Sequence, residues 1–388
     1  MKPDTIKYRN YFSEIGISDA DADKRVRECF DTVFNGPDGE RIYFDVGDDM
    51  GFITDTGNDD VRTEGMSYAM MMCVQMNEKE KFDRLWKWTK TYMWMAEGWN
   101  RGYFIWSCNL DGTPRGNGPA PDGEEYFAMD LFLASHRWGD GDGIFNYSQE
   151  AKDILEACLH NGDENRPGEP MWNRENHLIK FITNVEYTDP SYHLPHFYEC
   201  FAMWANEEDR DFWAQAAKCS REYLVKACHP VTGLSAEYAE YDGSPKILHT
   251  NAFGGRHDWF FSDAYRTAAN IGMDACWCGA TKELTQIARN IEKFFVETCG
   301  GEMSGIFLTD GTDLHEKAKH YVGLPATNAE SAIAVLASED VPEADRKNAL
   351  YCIEKLWNMP MQTGKFRYYD NCLYLFAMMA LSGNYRIY

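Results

Sequence analysis

Helical periodicity dominates the chain and alternates between two kinds of segment. Residues 65–76 (GMSYAMMMCVQM) are apolar on nearly every side, which predicts a helix buried all round. The next segment, 79–95, is amphipathic, with Phe82, Leu85, Trp86 and Met93 on one stripe. The alternation then repeats. Residues 123–138 are largely apolar, while 147–161 place Ala151, Ile154, Leu155, Cys158 and Leu159 at i, i+3, i+4, i+7 and i+8. Further pairs are 188–205 with 207–228, 260–274 with 280–298, and 327–338 with 342–358. In the last pair Pro342 stands near a helix start, and Leu350, Ile353, Leu356 and Trp357 form the stripe. The apolar segment 368–382 lacks a downstream partner, and an amphipathic helix at 19–34 lacks an upstream one. Strand patterns are scarce.

Pairing those two segments completes six inner and six outer helices. The expected fold is therefore all-α, an (α/α)6 barrel forming a single domain over 1–388. No Pro/Ser/Gly-rich linker interrupts it. The loops between pairs, 36–60, 97–122, 162–187, 229–259 and 300–326, are long and rich in Asp, Gly and aromatic residues. Long loops in a compact helical protein are usually functional. In such a ring they converge on one end, where a cleft is expected.

Charge narrows the ligand. The chain of 388 residues carries 38 basic and 62 acidic side chains, a net of −24, with no local basic patch. Such a chain repels phosphate backbones and anionic lipid, which argues against nucleic-acid and membrane-surface partners. The N-terminus has no apolar signal core, and no stretch approaches the ~18 apolar residues of a membrane span. Twelve cysteines are spread from Cys29 to Cys372, mostly in apolar helical contexts; the closest pair is Cys276-x-Cys278. They predict reduced, buried thiols in a cytoplasmic protein rather than a disulfide or zinc framework.

Several motifs are near misses. There is no P-loop, G-x-G-x-x-G or G-x-S-x-G; Gly65-Met-Ser67-Tyr-Ala69 lacks the second glycine. His315-Glu316 and His320 resemble a metalloprotease motif, but i, i+5 spacing puts the histidines off one helix face. His193 and His196 with Glu199 have helical spacing interrupted by Pro195. Asp140-Gly-Asp142 opens like a calcium loop, yet its twelfth position is Ala151. No metal and no cofactor is expected.

Carboxylates and aromatics remain. Glu64 enters the apolar helix from an acidic loop, a position the helix dipole favours. Asp122 looks like an N-cap for the next inner helix, and Asp263 like a cap or a structural partner of Arg266. Each has a structural explanation alone. Together, three carboxylates at the starts of three inner helices would face one mouth, beside Trp99, Trp106, Trp138, Trp172, Tyr192, Trp259, Tyr368 and Tyr369. Glycoside cleavage needs an acid for the leaving oxygen, a base for water, and flat faces for sugar rings.

These residues also carry a resemblance. Arg62-Thr-Glu64-Gly-Met-Ser-Tyr, Pro121-Asp122-Gly-Glu-Glu-Tyr-Phe, Asp189-Pro-Ser-Tyr192-His, Phe261-Ser-Asp263-Ala-Tyr-Arg266 and Arg367-Tyr-Tyr-Asp370-Asn together resemble glycoside hydrolase family 8 over nearly the whole chain. Within it, the sequence is most similar to the exo-acting branch that removes xylose from the reducing ends of xylo-oligosaccharides. The resemblance implies the (α/α)6 barrel and an inverting mechanism. By motif, Glu64 resembles the general acid, Asp263 the general base, and Asp122 the carboxylate holding the distorted sugar. Tyr192 matches a tyrosine that helps hold the attacking water, Arg266 the arginine beside the base, and Trp106 the stacking residue on the non-reducing side. His320 matches a histidine that reads the terminal reducing hydroxyl. Arg62 and Tyr369 complete the expected substrate-binding set.

Inversion requires carboxyls roughly 6.5–9.5 Å apart, which separate helices permit. The Glu64 pKa is expected to be raised by burial and by Asp60 and Asp122, with Arg62 opposing if its head group is close. Two departures bear on specificity: Tyr321 where a proline is expected, and a lengthened stretch 244–258. An endo-acting β-1,4-xylanase or glucanase of the same family, and a non-catalytic oligosaccharide-binding barrel, stay open at this point. The oligomeric state is not legible.

Overall fold

Both helical patterns become real elements in the structure, a computed structural model that describes residues 3–248 and 256–388. Six helices follow the all-apolar pattern: α2 (Thr63–Met76), α4 (Pro121–Trp138), α6 (Pro195–Trp204), α8 (Arg266–Cys278), α10 (Gly323–Leu336) and α12 (Arg367–Leu381). They pack in that order, α2 on α4 through to α12, and α12 returns to α2, which closes the ring. Six more follow the amphipathic pattern: α1 (Asp19–Asn35), α3 (Lys79–Tyr92), α5 (Tyr147–His160), α7 (Arg210–Ala227), α9 (Lys282–Lys293) and α11 (Glu343–Asn358). Each covers an inner helix, and α1 lies on α12 as the pairing of chain ends required. The fold is an (α/α)6 barrel.

Burial explains the difference in pattern. Every residue of α10 is buried, and so is every α2 residue from Gly65 to Gln75. Outer helices bury a stripe: Phe82, Leu85 and Trp86 of α3 are fully inside. Each such side chain contributes about 1.5–3 kcal/mol relative to exposure. Helices α8 and α10 approach each other closely. A Cβ on Gly272 would lie 2.2 Å from the Glu330 carbonyl oxygen, so only glycine admits that contact.

Three segments differ from the sequence pattern. The segment 188–205 is α-helical only from Pro195, preceded by a 3₁₀ turn at Pro190–Tyr192, because Pro195 cannot continue a helix from upstream. The segment 260–274 starts with a 3₁₀ turn at Ser262–Tyr265, and its helix runs on to Cys278. The buried stripe of α11 is Asn348, Ala349, Cys352, Ile353 and Leu356, with Leu350 and Trp357 only half-buried. Trp357 is turned toward Phe12, 4.9 Å between ring centroids, so the N-terminal segment decides that rotation.

The mouth loops contain short antiparallel pairs: β1 (Tyr43–Val46) with β2 (Met50–Ile53), β3 (Val61–Arg62) with β4 (Ser107–Cys108), and β5 (Gly305–Phe307) with β6 (Asp313–Lys317). His315 lies on β6, 88% exposed at its side chain, and not on a helix. All twelve cysteines are free thiols, eight of them buried. The stretch expected to be lengthened, 244–258, falls largely on 249–255, outside the described residues.

Candidate active site

Three helix starts and one arginine build the site. The β3–β4 pairing and a bond from Thr63 N–H to the Trp106 carbonyl (3.0 Å) fix the chain entering α2. Glu64 therefore stands in the first turn of α2. Its Oε1 accepts from the Tyr368 hydroxyl at 2.8 Å, and its Oε2 accepts from Arg266 Nη1 at 3.1 Å. Asp122 stands in the first turn of α4, where Pro121 opens the helix and Ala120 occupies the cap position, so Asp122 is not the cap. Its Oδ1 accepts from the Gly123 N–H at 3.0 Å, and its Oδ2 lies 3.3 Å from Arg266 Nη1.

Arg266 is the first residue of α8, delivered by the 3₁₀ turn that carries Asp263. That turn begins at Ser262, whose φ of 51° lies in the left-handed region. Asp263 Oδ2 lies 3.6 Å from Arg266 Nη2. Arg266 Nη1 also donates to the Tyr68 hydroxyl at 2.7 Å, and the guanidinium carbon sits 5.5 Å from the Tyr192 ring centroid. One buried guanidinium thus gathers Glu64, Asp122 and Asp263, which are 202 and 144 residues and one turn away in sequence.

Electrostatics divide the carboxyls. Burial pushes Glu64 up to about 7, with Asp263 and Asp122 adding to the rise and Arg266 opposing it. Arg62 opposes less, because it is already paired with Asp55 (3.2 Å) and Asp60 (3.0 Å). The expected contribution of Asp60 is replaced by that of Asp263: Asp60 is held by Arg62, Arg115 and the Ser107 hydroxyl. Burial also raises Asp122, to about 6, against the pull of Arg266. The Asp263 side chain is the open one, 30% exposed against 15% for Glu64 and 9% for Asp122.

The remaining candidates occupy distinct surroundings. Trp106 is 39% exposed, with the Arg62 guanidinium 5.5 Å from its ring centroid. Arg62 therefore backs Trp106 and anchors the Asp55–Asp60 turn. The Tyr369 hydroxyl donates to the Ser262 carbonyl at 3.2 Å, and its ring meets His320 edge-on at 4.9 Å. His320 Nδ1 lies 3.9 Å from Asp370 Oδ1, the atom that accepts from the Gly323 N–H at the start of α10. Burial pushes the His320 imidazole below its usual pKa. Tyr321, half exposed, donates to Gln362 Oε1 at 2.5 Å, which ties the His320 loop to the segment before α12.

Two aromatics leave the expected set. Trp172 is fully buried against Trp213 and Tyr198, in the core. Trp138 ends α4, sixteen residues and about 24 Å along the helix from Asp122. His193 and His196 are buried, and burial pushes both down to about 3; His193 is flanked by the Thr188 and Ser220 hydroxyls.

Three residues had no role assigned in sequence, although Tyr368 was among the aromatics expected at the mouth. Tyr368 had a signal, as the neighbour of Tyr369 in an inner-helix motif. Asp189 caps the 3₁₀ turn through Ser191 N–H (2.7 Å), and burial raises its pKa, with Asp263 adding and Arg266 opposing. Glu237 accepts from the Asp263 N–H at 3.4 Å and pairs with His257. Glu237 lies in a loop with no periodic pattern, so nothing in the sequence marked it.

Comparison with known proteins gives one picture. A model of the family described as Glycosyl hydrolases family 8 matches residues 46–383. The chain is 54% identical over 385 residues to a reducing end xylose-releasing exo-oligoxylanase of Halalkalibacterium halodurans, covering 99% of this chain and 95% of that protein. It is similar to the structure of Rex8A from Paenibacillus barcinonensis complexed with xylose, with a TM-score of 0.93 and 49% identity, covering 100% of this chain and 99% of the other. A variant of the same protein complexed with 3(3)-alpha-L-arabinofuranosyl-xylotetraose matches with a TM-score of 0.93 and 48% identity, over 100% and 98% of the two chains.

Proposed function

The chain belongs to glycosyl hydrolases family 8, and we propose that it removes single xylose units from the reducing ends of β-1,4-xylo-oligosaccharides of three or more units. Relatives about half identical over their full length bear the name of that activity. The whole of 1–388 acts as a single catalytic domain. The observation that carries the proposal is the unequal pair around Arg266: Glu64 the more enclosed and raised to about 7, Asp263 the more open, at the other side of the guanidinium.

The mechanism is inverting. Glu64 is the general acid, and a carboxyl at about 7 keeps a useful protonated fraction at neutral pH. Asp263 is the general base. Water reaches its partly exposed carboxylate, loses a proton to it and attacks the anomeric carbon, while the Glu64 proton passes to the departing oxygen. Contacts of 3.1 and 3.6 Å across one guanidinium are compatible with the roughly 6.5–9.5 Å of inverting pairs.

Asp122 holds the distorted sugar at the cleavage subsite, where its negative form supports the cationic transition state. Tyr192, stacked over Arg266, helps Asp263 hold the water. Trp106 stacks a sugar on the non-reducing side, with Arg62 behind it. His320, neutral and wedged on Tyr369, reads the terminal reducing hydroxyl and closes the groove beyond the first leaving-group subsite.

Cytoplasmic placement suits a substrate of imported oligosaccharides; among the described residues no helix is long and apolar enough to cross a membrane. A time course on reducing-end-labelled xylotetraose tests the proposal. Early labelled xylose with unlabelled xylotriose is expected; early xylobiose would overturn exo action, and no turnover would overturn hydrolysis.

A further inference from the structure

Beneath Arg266, inside the ring, lies a cavity of about 20 Å³. One water needs roughly 10–15 Å³. Its lining includes Glu125 of α4, His196 of α6, Arg266 and Ala269 of α8, and Glu330 of α10. Three of these carry buried polar atoms without a hydrogen-bond partner: Glu125 Oε1, His196 Nδ1, and both Nε and Nη2 of Arg266. Glu125 is 1% exposed, His196 1% and Arg266 5%. The other Glu125 oxygen accepts from the Tyr198 hydroxyl at 2.9 Å, so the carboxyl is fixed.

A buried donor or acceptor without a partner costs about 1–3 kcal/mol, more for a charged group. Such groups are normally met by protein or by ordered water with two to four partners. A cavity of this size, whose lining residues include the three that carry these atoms, fits that description.

We infer that this cavity binds an ordered water bridging Arg266 Nε and the Glu125 carboxyl, and that Glu125 is a positioning residue for Arg266. The geometry gives the water a task. Nη1 is spent on Glu64, Asp122 and Tyr68, and Nη2 faces Asp263. Nη2 meets Asp263 only as an ion pair at 3.6 Å, so Nε and Nη2 are the donors of the fork left without a hydrogen bond, and Nε is the one with no charged partner either. Bonding it from below fixes the plane of the guanidinium, and with it the relative placement of three carboxylates on separate elements. The positioning role, though not the water, rests on the hydrolase reading above.

The test has a structural and a kinetic arm. A high-resolution crystal structure should show a water within hydrogen-bond distance of both Arg266 Nε and Glu125 Oε1; a dry cavity overturns the site. Glu125→Leu removes the carboxyl, and Ala269→Val fills the cavity while leaving Glu125 in place. For each variant that folds, by near-UV circular dichroism, kcat for xylose release should fall tenfold to a hundredfold with KM within about twofold. Glu125→Gln, which keeps the shape and a polar tip, should restore most of it. Wild-type kcat in a folded Glu125→Leu or Ala269→Val protein overturns the positioning role. A wild type that releases no xylose overturns the hydrolase reading instead, and the crystal structure still decides the water.

Discussion

Arg266 Nη1 lies 3.1 Å from Glu64 Oε2, so the carboxyl proposed as the general acid is bonded to a permanent cation. Burial and two neighbouring carboxylates outweigh that cation and leave Glu64 near 7. The arrangement is a balance, and altering its central member should be costly. Arg266→Lys keeps the charge but not the fork, since an ammonium is a point charge that cannot face Glu64, Asp122 and Asp263 together. We expect kcat/KM on xylotriose to fall about a hundredfold or more, the scale of a misplaced reacting group. Steady-state kinetics on the folded variant check it, and a loss under fivefold would contradict it.

Glu64 should also leave a signature in stability. Its folded pKa of about 7 lies above the ordinary 4.5, so between those values the native state binds more protons than the unfolded state. Stability from this group is therefore full below pH 4.5 and lost as pH rises through 7. Glu64→Gln removes that slope. Thermal melts should show the variant gaining on wild type from pH 4 to pH 8, while kcat falls by 10²–10⁴-fold, the usual share of a general acid. The alkaline limb of wild-type kcat/KM should lie near pH 7. Parallel melting curves across that range would refute the assignment of the shift.

His320 is expected to set where the groove ends. His320→Ala removes a ring wedged on Tyr369 and leaves the Asp370–Gly323 contact at the head of α10 intact. Xylobiose should then appear early from xylotetraose, with total bond cleavage within a few fold of wild type. Unchanged product ratios in chromatography would remove His320 from the specificity apparatus.

Gly272 tests the ring closure. A methyl there would sit 2.2 Å from the Glu330 carbonyl, against backbone that cannot rotate away. Gly272→Ala should destabilise by about 1–3 kcal/mol through overpacking, read as a lowered melting midpoint in denaturant. An unchanged midpoint would mean that α8 and α10 separate freely.

The sequence and the structure agree unevenly along the chain. Elements whose burial is local, such as α2 beside α3 or α4 beside α5, were legible because each adjacent pair buries its own stripe. Segments whose environment comes from afar were not: α11 rotated toward Phe12, and the segment before Arg266 became a 3₁₀ turn. The loop strands escaped too, since two- to five-residue pairings carry no period. The same holds in the site. Glu64, Asp122 and Asp263 were legible because carboxylates at apolar helix starts stand out against their context. The roles of Tyr368, Asp189 and Glu237 were not, because they depend on neighbours that only the closed ring supplies.

The sequence by itself determined the all-α barrel and the count of its helices, because alternating all-apolar and one-sided segments permit few ways to bury their surfaces, and its motifs carried the resemblance to the family. Only the tertiary structure decided that Arg266, and not Arg62, is the cation of the site, that Tyr368 holds Glu64, and that Asp263 is the open carboxylate. Those outcomes turn on angstrom-scale distances and on burial, which sum contributions from helices up to three hundred residues apart. A carboxyl's pKa is the remainder of large opposing effects of burial and charge, and that remainder exists only once the ring has closed.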